Sequence, residues 1–336
     1  MKPPVLGASF TRMIGVVSPG LETSVQDLPG RIGYWEQGFP PSGPMDSWSF
    51  RLANLLVGND AEAAGLECQF IGPSLRFAAP TVVAVTGADM KPKLDGEPVE
   101  NWVSIPVKAG QVLALGSAAV GARAYVAIAG GIDTPPVLGS RSTFHMAGVG
   151  GVEGYALKAG QSLPVGPSRP APLRRARADR RPAILPRREW QIEVVRGPND
   201  DWIDEAGHRR FFASEWKLQA KSNRTGLRLT GPEFTFAPRA YNKRPEHGQH
   251  PSNILDHGYP LGAINLAGQT PIILVNDAPS TGGFINPYTV PTAAFWKLAQ
   301  SRPGDIYRFI EIDVESAQGL RRRLDRLCSP DSLEPL

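Results

Sequence analysis

The stretch "GPSLRFAAPTVVAVTGAD", Gly72–Asp89, decides the fold class. A Gly-Pro turn opens it, "SLRF" alternates apolar and polar side chains, and Pro80 marks a second break. "TVVAV" is then a brief β-branched run that ends in Gly and Asp. Such runs are too short for a helix and carry the residues that fit a pleated surface. The same style recurs in "QVLALG" (111–116), "ARAYVAIAGG" (122–131), "WQIEVVRG" (190–197), "TGLRLTGP" (225–232), "LGAINLAG" (261–268) and "TPIILVND" (270–277). With 36 Gly and 33 Pro there are turn formers enough to separate many short strands. Few helical patterns lie between the runs. The reading is mainly β, with antiparallel sheets closed into barrels or sandwiches.

Working outward, "GPEFTFAPRA" (231–240) and "GQTPIILVND" (268–277) echo the opening stretch: Gly-Pro, an aromatic strand, then an apolar strand ending in Asp. The echo predicts a duplicated barrel. Pro- and Arg-rich sequence separates the copies. The expected organisation is an N-terminal barrel over 1–168, a linker over 169–189, a C-terminal barrel over 190–316 and a helical tail over 317–336. Three helices are expected: one over 45–57, with Trp48, Leu52, Leu55 and Leu56 on one face and Gly58 as its stop, one over 292–300, and one over 317–327.

Composition narrows the function. The net charge of +4 is concentrated in the linker "RPAPLRRARADRRPAILPRRE" and lacks aromatic interleaving, so it does not point to nucleic acid. The 2 cysteines, Cys68 and Cys328, have no metal-type spacing, and reduced thiols in a cytoplasmic protein are expected. The first twenty residues lack a secretory apolar region, and no apolar run approaches the roughly 18 residues of a membrane span. P-loop, dinucleotide-binding and G-x-S-x-G patterns are missing. "DMKP" around Lys91 has the wrong flanks for a biotin acceptor, and His247/His250 lack carboxylates placed to complete a metal site.

Polar residues gather just past the strand-like runs, where a barrel mouth would collect them. They include Gln26 and Asp27; Ser42, Asp46 and Asn54 around the first helix; Glu67; Asp89; Arg141 and His145; His250, Ser252, Asn253, Asp256 and His257; and Asp277 and Thr281. Each has a plain alternative. Ser42 or Asp46 could only cap the helix, Glu67 could pair with Arg51 or Arg76, Asp89 and Asp277 could start turns, and Arg141 could tie its own loop.

Three segments resemble one family in order: "TSVQDLPGRIGYWEQGFPPSGPMDSWSFRLANLLVGNDAEAAGLE" (23–67), "RAYVAIAGGIDTPPVLGSRST" (123–143) and "HPSNILDHGYPLGAINLAGQTPIILVNDAPSTGGF" (250–284), with "LAQSRPGD" (298–305) following. The family is the KipA-like proteins, also called allophanate hydrolase subunit two or biotin-dependent carboxyltransferases. The third segment is nearer the carboxyltransferase region of urea carboxylase, and has "STGGF" where the general members carry a "TTGGYP" type motif. The resemblance implies two tandem cyclophilin-like β-barrels and a KipI-like partner that completes the site. It implies transfer of CO2 from carboxybiotin to an amide nitrogen of urea or a urea-like molecule. Carboxybiotin would come from a separate carrier with its biotin carboxylase, with no cofactor held permanently by this chain and no metal.

Under that resemblance Asp27, Asp46, His250 and Asp277 are the catalytic candidates, with His250 as proton acceptor. Gln26, Ser42, Asn54, Glu67, Arg141, Ser252, Asn253, Asp256 and Thr281 are the candidate substrate-binding residues. Two further readings stay open: a subunit of ATP-dependent 5-oxoprolinase, and a non-catalytic binder of a KipI-like inhibitor of a sensor kinase.

Overall fold

The computed structural model describes residues 12–336. Part of the leader reading and the start of the expected first domain lie outside the described residues. The first half builds two sheets. One orders the strands Ser162–Pro164, Met13–Ser18, Ser74–Phe77, Val112–Ala114, Lys93–Leu94 and Glu97–Pro98; the other orders Glu22–Gln26, Gly65–Gln69, Val120–Ile128, Thr81–Asp89 and Ile105–Val107. Ile14, Leu75, Phe77 and Leu113 from the first meet Val25, Leu66, Val83, Val85 and Val126 from the second in one buried core.

The long strands Thr81–Asp89 and Val120–Ile128 read as near-continuous apolar runs because both their faces are covered. Alternate residues Ala84, Tyr125 and Ala127 point away from the sandwich and pack under Phe50, Leu52, Ala53 and Leu56 of the helix Ser47–Leu56. That helix begins at an Asp46 cap and gives way at Val57, with Gly58 in the left-handed region at φ +76°, close to the expected span.

The second half is a closed seven-strand barrel in the order Glu189–Arg196, Tyr288–Thr289, Ala263–Ala267, Thr270–Leu274, Gly226–Thr230, Trp216–Leu218, Ile306–Glu311. Its closure is the parallel pairing of Glu189–Arg196 with Ile306–Glu311. Of the two barrels expected, then, the second is a closed ring. The first half hydrogen-bonds as two facing sheets, because its pairing stops at the short edges Glu22–Gln26 and Ile105–Val107. The helix Glu205–Ala213, absent from the sequence reading because "EAGHRRFFA" has little apolar periodicity, places Phe211 in the barrel core. Phe211 stacks on Tyr288 at 3.9 Å and on Phe309 at 4.5 Å between ring centroids.

The arginine-rich 169–189 segment is tied to its surroundings. Its strand Arg174–Ala176 pairs with the tail strand Leu333–Pro335, and the Trp48 indole N–H donates to the Arg180 carbonyl. The tail helix runs Val314–Leu327, begins three residues earlier than expected at an Asp313 cap, and is pinned to the first half by Arg51–Asp325 at 2.8 Å. Where the halves meet, Trp48 lies edge-on to Trp296 at 5.8 Å, and Trp296 edge-on to Trp190 at 6.2 Å.

Phe211→Ala is expected to cost about 3–5 kcal/mol, since the collapsed stack leaves a cavity between Tyr288 and Phe309. Urea unfolding monitored by far-UV circular dichroism measures it.

Candidate functional site

The seam between the halves is built around one guanidinium. Arg224 stands in the turn before the barrel strand Gly226–Thr230, where the chain closes on itself through Asn223. Its Nε donates to Asp277 Oδ2 at 2.9 Å and its Nη2 to Asp277 Oδ1 at 3.1 Å, a bidentate pair within the second half. Its Nη1 reaches Glu67 of the first half at 2.6 Å, and Nη2 also meets the Gly43 carbonyl at 2.8 Å. All three side chains are at most 5% exposed. Burial would lower the Arg224 pKa, but the charges and hydrogen bonds of Asp277 and Glu67 outweigh it and hold it above its ordinary value.

Glu67 completes its shell with the Met45 N–H and the Tyr125 O–H, both at 2.8 Å, and with Arg123 at 3.5 Å. Burial alone would raise its carboxyl; Arg224 and Arg123 outweigh that and hold it below the usual carboxylate range. The partners weighed from sequence lie elsewhere: Arg51 goes to Asp325 and Arg76 to the Gly110 carbonyl.

Asp46 works beside this cluster. It caps the Ser47–Leu56 helix through the Ser49 N–H at 2.9 Å and takes the Ser49 hydroxyl at 2.6 Å. It also accepts Gln300 Nε2 from the second half at 2.9 Å. Full burial raises its pKa. Gln300 Oε1 in turn accepts the Ala122 and Arg123 N–H groups, so this amide seals a strand of the first half. Asp46 is thus both a cap and a tie across the seam. Gln26 accepts the Gly43 N–H at 3.0 Å, and Asn276 Nδ2 points at the carbonyls of Ser42, Gly43 and Pro44. Ser42 takes a left-handed φ of +57° there.

Asp27 forms a separate knot. Ser140, Ser142 and the Arg141 N–H all donate to its carboxylate, at 2.5, 2.6 and 2.7 Å. The Arg141 guanidinium turns outward to Asp133. Asn54 is spent on the Ala63 carbonyl and Asn59. Asp89 starts a turn by accepting the Lys91 N–H.

Apart from His145, which lies 3.6 Å from Glu22, the remaining candidates sit on or just before a side hairpin, Asn253–Gly258 paired with Thr281–Phe284. His250 Nδ1 accepts the Ser252 N–H at 3.1 Å. The Ser252 hydroxyl, 2.8 Å away, therefore donates to the same atom, which leaves Nε2 as the protonated nitrogen of the neutral ring. Lys243 Nζ bonds the carbonyls of His250 and Asn253. Asp256 Oδ1 lies over Gly283, and a Cβ on Gly282 would sit 2.6 Å from the Tyr259 ring, so the "TGG" run is set by close packing.

Beside this hairpin opens a cavity of about 490 Å³. Met146 of the first half, Thr225, Tyr259, Asn265 and Thr281 line it, with Lys221 and Arg228 also in its wall. Tyr259 accepts the Phe284 N–H at 2.6 Å, and burial raises its phenol, so it keeps its proton at neutral pH. Asn265 is 4% exposed and its Oδ1 has no partner among the described residues. The Arg224 knot holds the floor: Asn223, Thr225 and Gly226 flank Arg224, Pro279 and Thr281 follow Asp277, and the Asp277 N–H bonds the Arg224 carbonyl at 2.8 Å. Of the thirteen sequence candidates, Thr281 lines the cavity and Ser252, Asn253, Asp256 and His250 belong to the hairpin beside it. Gln26, Ser42, Asp46, Glu67 and Asp277 build the seam behind it. Asn54, Asp27 and Arg141 make the local bonds described above and are not among its lining residues.

Residues 37–311 match the family described as carboxyltransferase domain, subdomain A and B. The chain belongs to this family. It is 42% identical over 321 residues to the urea amidolyase of Lachancea kluyveri, covering 92% of this chain and 17% of that protein. It is 36% identical over 318 residues to a 5-oxoprolinase subunit of Escherichia coli K12, covering 94% of this chain and 95% of that one. The crystal structure of the Kluyveromyces lactis urea carboxylase aligns with a TM-score of 0.90 at 40% identity, over 99% of this chain and 30% of that one. The chain therefore spans under a third of the urea-metabolising relatives. This carboxyltransferase-family chain is related both to urea carboxylase and to a 5-oxoprolinase subunit. Arg224, Gln300, Tyr259 and Asn265 were not singled out in the sequence.

Arg224→Met strips two buried carboxylates of their counter-ion and is expected to cost about 3–5 kcal/mol. Because the Glu67 carboxyl is held low, its contribution is present above the unfolded carboxyl pKa of ~4.3 and is lost as pH falls through the lower folded value. Glu67→Gln should accordingly be less stable than wild type near neutrality and lose less on acidification, as read by urea unfolding over that range.

Proposed function

We propose that the chain is the part of a biotin-dependent carboxyltransferase that moves CO2 from carboxybiotin to an amide nitrogen of urea or a urea-like substrate, acting with a KipI-like partner. The observation that carries the reading is the cavity at the hairpin. It offers the unpaired, buried Asn265 Oδ1 and a protonated Tyr259, an acceptor and a donor that suit a neutral urea with its N–H groups and one carbonyl. Lys221 and Arg228 add positive charge suited to the carboxylate being transferred.

The orphaned Asn265 oxygen also fits the N–H of a biotin ureido ring, and about 490 Å³ leaves space for the ring beside a small amide. When bound, carboxybiotin supplies the CO2 and a basic ring nitrogen. This chain's residues do the rest. Tyr259 donates its O–H to a carbonyl, Asn265 orients an N–H, and the aromatic wall formed by Tyr259 with Phe284 limits water. His250, with its Nδ1 held by Ser252, steadies the loop that begins the hairpin. Biotin would arrive on a separate carrier served by a biotin carboxylase.

The kinship supports two further points. The facing sheets of the first half read as an opened counterpart of the barrel, in the tandem cyclophilin-like arrangement expected from sequence. The free, buried cysteines, with the Cys68 thiol pushed up to about 12 by burial, suit the reducing cytoplasm. The 5-oxoprolinase reading is favoured by the match over 95% of the Escherichia coli protein.

The test is co-purification with a KipI-like protein, then assay of ATP-, biotin carrier- and bicarbonate-dependent carboxylation of urea, guanidine and 5-oxoproline. Labelled bicarbonate should enter urea or guanidine, and Tyr259→Phe should lower kcat/KM by about 10²-fold. Ring opening of 5-oxoproline without label incorporation would replace this reading with the second.

A further inference from the structure

A second cavity, of about 370 Å³, lies across the seam and shares no lining residue with the first. Ala119, Val120 and Gly121 come from the first half, Leu185–Arg188 from the connecting segment, and Gln300, Arg302 and Asp305 from the second half. Three arginines line it: Arg187, Arg188 and Arg302. None of the three guanidiniums pairs with a carboxylate among the described residues, whereas Arg123 close by is matched to Glu67.

Two of the three are preset. Arg302 donates Nε to the Gly121 carbonyl at 2.6 Å and Nη2 to the Ala118 carbonyl at 2.5 Å, which fixes the fork and leaves Nη1 unspent. Arg187 lies over the Trp190 ring at 5.0 Å and gives Nη2 to the Ala183 carbonyl. Arg188 makes no side-chain hydrogen bond among the described residues, while its carbonyl is held by the Ile306 N–H at 2.7 Å. The one carboxylate in the lining, Asp305, is 4% exposed and already accepts the Trp190 indole N–H and the Arg302 N–H, both at 2.9 Å. Both donors meet Oδ2, and three positive charges therefore face one negative charge.

We propose that this cavity binds a small oxyanion, a carboxylate or a phosphate, whose oxygens take the unspent N–H groups of Arg187, Arg188 and Arg302. Guanidinium forks match such oxygens in a plane, and partial enclosure strengthens the pairing. Because its walls come from both halves and from the segment that joins them, a bound anion would bridge all three and stabilise the assembled seam.

The test measures thermal unfolding and isothermal titration with inorganic phosphate and, separately, with malonate, at constant ionic strength set with chloride. Wild type should show saturable binding and a rise in Tm with at least one of them, and which one responds names the source of the anion. Arg188→Gln, at an exposed side chain with no hydrogen bond or ion pair among the described residues, should weaken binding about ten- to hundredfold, the loss of one charge-assisted bond. Arg322→Gln/Arg323→Gln, on the tail helix, should bind as wild type. No saturable binding in wild type, or equal binding in Arg188→Gln, overturns the proposal. Carboxylation activity does not enter the readout, so failure here leaves the proposed reaction untouched.

Discussion

A single buried cation organises the molecule. Arg224 is enclosed between a carboxylate of each half, and it is the counter-ion the two share in that interior. Taking such a group out of water is costly, and the cost is offset only when every donor is matched. Here the match is close to complete: two oxygens of Asp277, one of Glu67 and a backbone carbonyl. Geometry of this kind permits one arrangement of the halves rather than many, so the cluster acts as a register for the seam as much as a source of stability.

The cavity beside the hairpin inherits its shape from that register. The turn carrying Arg224 and the segment after Asp277 supply its floor, while Met146 reaches over from the first half, where Thr225 contacts its sulfur. Charge is divided sensibly between the two places. The interior knot is balanced, so it presents little field to the cavity, and the cations Lys221 and Arg228 are carried on its exposed side. An anionic group entering from solvent meets net attraction there, while a neutral amide can go deeper to Tyr259 and Asn265.

Much of this was legible in the sequence, and the limits have physical causes. Strands such as Thr81–Asp89 announce themselves because their β-branched runs are buried on both faces. The first helix is readable from the Asp46 cap and Gly58 stop. Glu67 stood out as an acid in an apolar strand, yet its partner could not be named: Arg224 is 157 residues away and looks like an ordinary turn residue in "SNRTG". Ring closure was equally hidden, since a strand's sequence records burial of its faces and not whether its edge finds a neighbour. The "STGG" run was visible as unusual, but its reason, the Tyr259 ring pressed on Gly282, depends on a fold-level approach. Asn54 and Asp27 show the converse: polar residues at element ends that are fully occupied in holding loops.

The row of Trp48, Trp296 and Trp190 gives the seam an optical character. Indoles packed edge-on at 5.8 and 6.2 Å are close enough for the near-ultraviolet transition of each to feel its neighbour. Trp48 rides on the first half and the other two on the second. Any hinge-like breathing between the halves is therefore written directly into the intrinsic emission and chirality of the protein, with no dye required to see it.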